Sequence, residues 1–159
     1  MTTVLKERRT LHYESLDNFS QDAETLAAGK YETVGSWSYG QILTHLAKTL
    51  NASIDGFGFK APWLVRTLIA PVMKGRFLNK PMPSGFKLPK NAAALIPPDG
   101  VTTDEGLAAL RKALARFADE TPGAAHPFMG KMTPTEWRHL HLRHAELHMS
   151  FVHAVGESE

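Results

Sequence analysis

Residues 137–152 read WRHLHLRHAELHMSFV, and this stretch holds four of the chain's eight histidines. When it is wound as an α-helix at about 100° per residue, His141, His144 and His148 fall within about 40° of Trp137. The pattern predicts a last helix with three imidazoles on its buried face. Apolar side chains share or flank that face, namely Leu140, Leu147, Phe151, Val152 and Val155.

Three histidines on one apolar face require a common explanation. Burying an imidazole without a partner costs free energy, and a metal ion would satisfy several rings at once. A pair at i and i+4 on a helix places both rings over one spot, as in zinc-binding helices, and His144 and His148 have this spacing. Glu146 points away and Glu136 belongs to the helix start, so a paired-carboxylate site of the di-iron type is disfavoured.

Capping signals predict three further amphipathic helices after an N-terminal stretch, residues 1–14, that is either an extended arm or a frayed turn. Two of the starts are capping boxes, Ser38 with Gln41 and Thr102 with Glu105. Trp37 precedes the first box and would pack beside it as a hydrophobic staple. No segment shows the alternation of a β-strand. The four predicted helices span about residues 15–28, 38–55, 102–120 and 133–156.

Residues 56–102 are the least regular part of the chain. Pro62 can begin a helix that Pro71 must kink or break, and a short helical piece is expected to about Leu78. A connection of this length is usually functional or mobile, so residues 79–102 are either a lid beside a pocket or a wrapped surface loop. The chain is therefore predicted to be an all-α four-helix bundle with a long irregular, partly helical connection between helices 2 and 3.

His45 lies at the edge of the apolar stripe of the second predicted helix. Alone it would be a structural histidine, but with a histidine helix elsewhere we expect it to face the same site, since bundles build metal sites from facing helices. Small and polar side chains stand in line with it and suit the wall of a pocket, namely Ser38, Gln41, Thr49 and Ala52.

The composition excludes several classes of protein. A chain of 159 residues forms one domain over residues 1–159, and a net charge of +2 without a basic, aromatic stripe gives no reason to expect nucleic acid. The absence of cysteine excludes disulfides, thiolate zinc sites and cysteine nucleophiles, and it agrees with a cytoplasmic location. We expect no membrane partner, because there is no signal peptide and no apolar run near the ~20 residues of a membrane span.

Three segments resemble the DinB/YfiT-like superfamily of bacterial metal-binding four-helix bundles. They are GxWSxGQILxHLA at residues 35–47, HPFMGKMTP at residues 126–134 and Wx6HxxxH at residues 137–148. The closer match is to a branch of that superfamily known only as a domain of unknown function. The resemblance covers most of the chain and is weakest in residues 56–100.

The resemblance implies a divalent metal held by His45, His144 and His148, and nickel and zinc are the metals usually associated with the superfamily. Some of its members are transferases or isomerases that use a low-molecular-weight thiol, and others have no known activity. The chain departs from the branch at Leu147, where a further histidine is common, and at residues 150–151, where Arg-Gln is common. These departures leave the implied ligands unchanged and alter the surrounding contacts.

Three imidazoles leave coordination positions open, as in catalytic metal sites, where the ion lowers the pKa of a bound water or binds a thiolate. We therefore expect either a metal-dependent hydrolase or thiol transferase acting on a small electrophilic substrate, or a metal-binding bundle without turnover. A third possibility is that the histidines only fill the core.

His141 is either a fourth ligand, a pocket residue or a packed histidine. The apolar residues of 57–69 are expected to form a homodimer interface unless the connection buries them. The residues expected to line the pocket or orient the ligands are Gln41, Thr49, His126, Trp137 and His141.

Overall fold

The computed structural model describes residues 7–156, which fold mainly into helices, as expected for an all-α protein. The first six residues of the N-terminal arm and the acidic tail after Gly156 lie outside the described residues. No helix within the described residues has both the length and the apolar character needed to cross a membrane. The elements in chain order are α1 (Leu16–Ala28), β1 (Tyr31–Thr33), α2 (Tyr39–Asp55), a π-helical turn (Val65–Ile69), α3 (Ala70–Asn79), a 3₁₀ helix (Lys90–Leu95), α4 (Thr103–Asp119), α5 (Pro134–Met149) and β2 (Val152–Ala154).

The long helices begin where the capping signals predict. At α2, Ser38 Oγ accepts a hydrogen bond from Gln41 N (3.2 Å), and Gln41 Oε1 accepts one from Ser38 N (2.9 Å). The same pair of bonds is made at the starts of α4 and α5, while α1 begins after Ser15, whose Oγ accepts from Asn18 N. Each reciprocal pair satisfies two backbone groups that a helix end leaves without partners. The predicted starts of these helices are therefore confirmed.

The four long helices pack around one apolar core, in which α1 and α2 each contact both α4 and α5. α2 and α4 approach most closely at two glycines. A Cβ added to Gly106 would lie 2.5 Å from Gly40 O, and one added to Gly40 would meet the carbonyl groups of residues 101 and 102. Glycine permits this backbone contact because it has no Cβ. The contact positions α2, and the histidine it carries, against the rest of the core.

Residues 152–154 form a strand where the sequence predicts helix up to Gly156. α5 ends at Met149, and β2 pairs with β1 in antiparallel register. Val34 N donates to Phe151 O (2.9 Å) beside this pair. The expectations that no strand is present and that residues 151–155 continue the histidine face are therefore wrong. Aromatic and β-branched residues favour extended backbone, and a partner strand distant in the sequence supplies the hydrogen bonds.

The connection between α2 and α4 is more helical than predicted. Pro71 does not break the helix, because the π-helical turn leads directly into α3 and Pro71 lies at the start of that helix. Ala70 N donates to Val65 O, so the missing N–H of Pro71 falls where the hydrogen-bond ladder changes register. α3 ends at Asn79, close to the predicted Leu78, and the 3₁₀ helix lies in a region where the sequence predicts no element.

Residues 7–14 form an extended arm, one of the two predicted alternatives, and lie against α5. Tyr13 N donates to Glu146 Oε1 (2.6 Å), and Arg143 Nη2 donates to Tyr13 O (2.9 Å) and to Glu146 Oε1 (2.8 Å). Arg143 and Glu146 are buried. The sequence correctly places Glu146 off the histidine face, and the structure shows that it forms a buried ion pair with Arg143 beneath the arm.

Candidate metal centre

α2 and α5 bring together three histidines that are far apart in the sequence. His45 lies in the middle of α2, and His144 and His148 lie one turn apart on α5. His144 Nε2 is 3.2 Å from His45 Nε2 and 3.0 Å from His148 Nε2. One ring nitrogen of each residue lies within 4.8 Å of the other two. This cluster, the histidine triad, could hold a metal ion.

The spacing of the triad nitrogens fits a shared ion. Zn–N bonds are about 2.0–2.1 Å long, so two nitrogens are about 3.3–3.4 Å apart in a tetrahedral site and about 2.8–3.0 Å apart when their bonds meet at a right angle. The two Nε2–Nε2 distances centred on His144, 3.2 and 3.0 Å, fall within the range that these geometries span. Binding an ion would therefore require little movement of these ring pairs.

Hydrogen bonds on the far side of two rings fix their tautomers. His45 Nδ1 is 2.8 Å from Leu95 O, and a carbonyl oxygen only accepts, so Nδ1 carries the proton. Thr49 Oγ1 donates to Leu46 O (2.9 Å) and accepts from His144 Nδ1 over 3.5 Å. Nε2 is then the unprotonated nitrogen in both rings. Two lone pairs face each other at 3.2 Å, an arrangement that a cation between them would stabilise.

Burial keeps the triad imidazoles neutral. Desolvation lowers the pKa of His45, and it lowers the pKa of His148 to about 3. The pKa of His144 lies well below the ordinary value of 6.5, first because the ring is buried and then because His148 and His45 repel its charge. Neutral imidazole is the form that binds metals. The triad therefore presents unprotonated nitrogens at neutral pH.

Trp37 covers one side of the triad, a role that its sequence signal did not reveal. Its indole stacks on His148 with 5.5 Å between ring centres and 17° between ring planes, and its centre is 4.9 Å from that of His45. Its position before a capping box indicates only a helix start. Leu95, which orients His45, was also missed, but it belongs to the predicted lid segment, residues 79–102. Part of that segment thus reaches the triad.

Three of the predicted pocket residues form an aromatic cluster of their own. Trp137 stacks on His141 with 5.5 Å between ring centres, and its ring centre is 5.6 Å from that of His126. His141 Nε2 is 3.0 Å from Ser53 Oγ, which donates its own proton to Leu50 O. His141 therefore donates to Ser53, which corresponds to the packed-histidine alternative. Burial lowers the pKa of His141 to about 3 and that of His126 to about 4.

The other predicted pocket residues contribute mainly to local structure. His126 Nδ1 accepts two backbone N–H groups of the turn that follows it, each at 3.1 Å. The Gln41 side chain caps α2 and donates to Asp99 Oδ1 (3.2 Å), which ties the helix start to the connection before α4. Thr49 is the member of the predicted set that contacts a triad ring, through His144 Nδ1.

Two hollows lie near the C-terminal half of α2. One, of about 760 Å³, is lined by residues 54–60 and 123–125. The other, of about 230 Å³, lies between α2 and Leu95. Neither lining includes a triad histidine or a residue of 63–90. A pocket beside the metal position and lined by residues 63–90 would have favoured turnover, and these hollows do not supply it.

Comparison with known proteins identifies the family of the chain. The model of the family described as "Protein of unknown function (DUF1569)" matches residues 5–155. Because the match covers nearly the whole sequence, the chain belongs to this family. Neither the curated proteins nor the solved structures contain a significant match.

Proposed function

We propose that this member of the DUF1569 family binds a divalent metal ion through His45, His144 and His148. The observation that carries the proposal is the pair of Nε2 lone pairs that the tautomers of His45 and His144 direct at each other. Two acceptor nitrogens that face each other without a proton between them cost free energy, whereas one ion would satisfy both and could take His148 as its third ligand. The ring spacing and the lowered pKa values support the same assignment.

We infer zinc or nickel as the ion from the donor set together with the family resemblance. The triad consists of three neutral imidazoles with no carboxylate ligand. Imidazole nitrogens suit zinc, nickel and copper, whereas magnesium and calcium require oxygen ligands. The resemblance to the DinB/YfiT-like superfamily supports nickel or zinc and, with it, the assignment of the four long helices to a bundle of that type.

We infer that the protein is a metal-dependent enzyme that uses water or a low-molecular-weight thiol against a small electrophilic substrate. When bound, the ion would supply a Lewis acid that lowers the pKa of a water or thiol in an open coordination position. The chain's own residues would hold the imidazoles in place, Leu95 O at His45 and Thr49 at His144, while Trp37 excludes solvent beside His148. The motif resemblance and the three-ligand count support this inference.

The alternative is a metal-binding protein without turnover. It is favoured by the two hollows beside α2, because neither is lined by a triad histidine. Both functions require the same ligands and differ only in whether a substrate reaches the ion.

The proposal is tested by loading the purified protein with zinc or nickel, removing the excess and measuring the metal content. We expect about one ion per chain in the wild type and none retained in His144→Ala. His139→Ala is the matched control, because His139 is exposed on the same helix. Circular dichroism verifies that each variant keeps its helices. Equal metal content in the wild type and His144→Ala would refute the site.

Turnover is tested separately on the metal-loaded protein. We expect metal-dependent consumption of a bacterial thiol in the presence of small electrophiles, and no consumption with His144→Ala. Tight metal binding without any turnover across such a screen selects the non-catalytic alternative.

A further inference from the structure

The connection between α2 and α4 carries a charge that the composition of the whole chain hides. Residues 56–98, the basic segment, contain seven Lys and Arg and no Asp or Glu. The rest of the chain has 11 Lys and Arg against 16 Asp and Glu. A net charge of +2 thus combines a strongly basic segment with an acidic remainder.

The helical part of the basic segment exposes large apolar side chains. Trp63 is 67% exposed and Val72 is 80% exposed, and Leu64 and Leu68, which lie between them in the sequence, are also exposed. The opposite side of α3 is anchored, because Leu78 is buried in the core. The helix therefore has an inner apolar face that packs on the protein and an outer apolar face that lacks a partner within the described residues.

Basic side chains surround this outer face. Lys74 pairs with Glu136 (2.9 Å), and it is the one basic residue of the segment that forms a salt bridge within residues 7–156. Arg66, Arg76 and Lys80 are exposed. Further along, Phe86 packs its ring 6.4 Å from that of Phe77 on α3 and is itself exposed, with basic residues on both sides of it in the sequence.

We propose that the outer face of the basic segment docks on an anionic phospholipid bilayer. Exposed tryptophan and aliphatic side chains on a helix that also carries exposed basic residues are features of helices that lie in the membrane interface. The anionic headgroups attract the uncompensated cations, and the apolar side chains of Leu64, Leu68 and Val72 enter the acyl boundary. Such a helix lies on the membrane and does not cross it, so it does not need the length of a membrane span.

Charge distinguishes the bilayer from the other possible occupants. A homodimer through residues 57–69, the expectation from sequence, would bring two segments of the same charge together, and like charges across an interface oppose association. Nucleic acid would satisfy the cations but offers no apolar layer for the exposed leucines and valine. An anionic bilayer matches both properties of the face.

The test is co-sedimentation of the full-length protein with vesicles of phosphatidylcholine containing about one third phosphatidylglycerol, compared with phosphatidylcholine alone. We expect binding to the anionic vesicles that weakens at high salt, and little binding to the neutral ones. Lys80→Glu/Lys87→Glu should lower the partition coefficient about thirty-fold or more, because each cation contributes about 1 kcal/mol. Lys30→Glu/Lys112→Glu, which changes the net charge equally outside the segment, should retain binding.

The apolar contribution is tested with Leu68→Asp/Val72→Asp, whose positions are exposed and whose substitution therefore leaves the core intact. We expect this variant to lose binding. The contribution of Trp63 to the fluorescence is obtained by comparison with Trp63→Phe, and we expect its shift on adding vesicles to disappear as well. Equal binding to neutral vesicles, or an equal loss in the control variant, would overturn the proposal. The proposal would also be overturned if sedimentation velocity showed that the wild type is a dimer and that Leu68→Asp/Val72→Asp is a monomer. The test has no metal readout, so its outcome is independent of the proposed metal site.

Discussion

Replacing His144 with alanine should remove most of the stabilisation that zinc gives the protein. His144 is the central residue of the proposed ligand set, since its Nε2 is 3.2 Å from that of His45 and 3.0 Å from that of His148. Four-ligand zinc sites bind with about 10–16 kcal/mol, or about 2.5–4 kcal/mol for each ligand, and about 2.7 kcal/mol per ligand is a conservative value near the lower end of this range. Three ligands then correspond to a Kd of about 1 µM and two ligands to about 100 µM.

These affinities convert into a change in Tm. An ion that binds only the folded state stabilises it by RT ln(1 + [L]/Kd), which at about 100 µM free zinc is about 2.7 kcal/mol for three ligands and about 0.4 kcal/mol for two. In a chain of this size, 1 kcal/mol corresponds to about 2–4 °C. Zinc should therefore raise the Tm of the wild type by about 5–11 °C and that of His144→Ala by about 1–2 °C.

The assay is thermal unfolding followed by circular dichroism, with chelator-treated protein measured before and after addition of zinc. Each variant is compared with its own metal-free Tm, so the cost of the cavity left by the alanine cancels. His139→Ala should show the full wild-type shift, because His139 is exposed on the other side of α5. A full shift in His144→Ala, or its loss in His139→Ala, would refute the assignment of the ligands.

Three further predictions concern stability and are checked by urea unfolding. Glu146→Ala should lower the free energy of unfolding by about 3–5 kcal/mol, because it leaves Arg143 buried without its partner; an unchanged value would mean that the pair contributes nothing. Gly106→Ala should destabilise by about 1–3 kcal/mol through overpacking against α2, whereas Gly75→Ala in α3, where a Cβ meets nothing within 4 Å, should stabilise by up to about 1 kcal/mol. The metal-free protein should lose stability as the pH falls from about 6.5 towards 3, since the unfolded chain takes up protons at about 6.5 while burial lowers the pKa of His141 to about 3. His141 alone contributes about 1.4 kcal/mol to the free energy of unfolding per pH unit in this range. Equal free energies of unfolding at pH 7 and 5.5 would contradict the reasoning, and so would the same pH dependence in His141→Gln as in the wild type.

Much of the helical framework can be predicted because its signals are local. The boxes that begin with Ser38 and Thr102 satisfy their own helix ends within one turn, so their sequence is sufficient to place them. The four-residue spacing of His144 and His148 is local in the same sense, since one turn of helix puts both rings on one face. These predictions needed no knowledge of the rest of the chain.

Predictions failed where the outcome depends on a distant partner. The residues after Met149 could extend a helix or form a strand, and their pairing with β1 decided for the strand. Glu146 is predicted to point away from the histidine face, and the N-terminal arm, which the sequence leaves open, covers it together with Arg143. In both cases hydrogen bonds to a distant segment decide the outcome, because buried polar groups require partners.

Local patterns and motif resemblance were enough to predict a mainly helical framework, the histidine pair of the last helix and the membership of His45 in the same set. Only the packed chain shows that the three rings meet, that Leu95 and Thr49 orient two of them, and that the outer face of α3 stays exposed. Spacing along a helix is set by the geometry of one or two turns. The approach of two helices depends on how the whole core packs, and no short stretch of sequence contains that information.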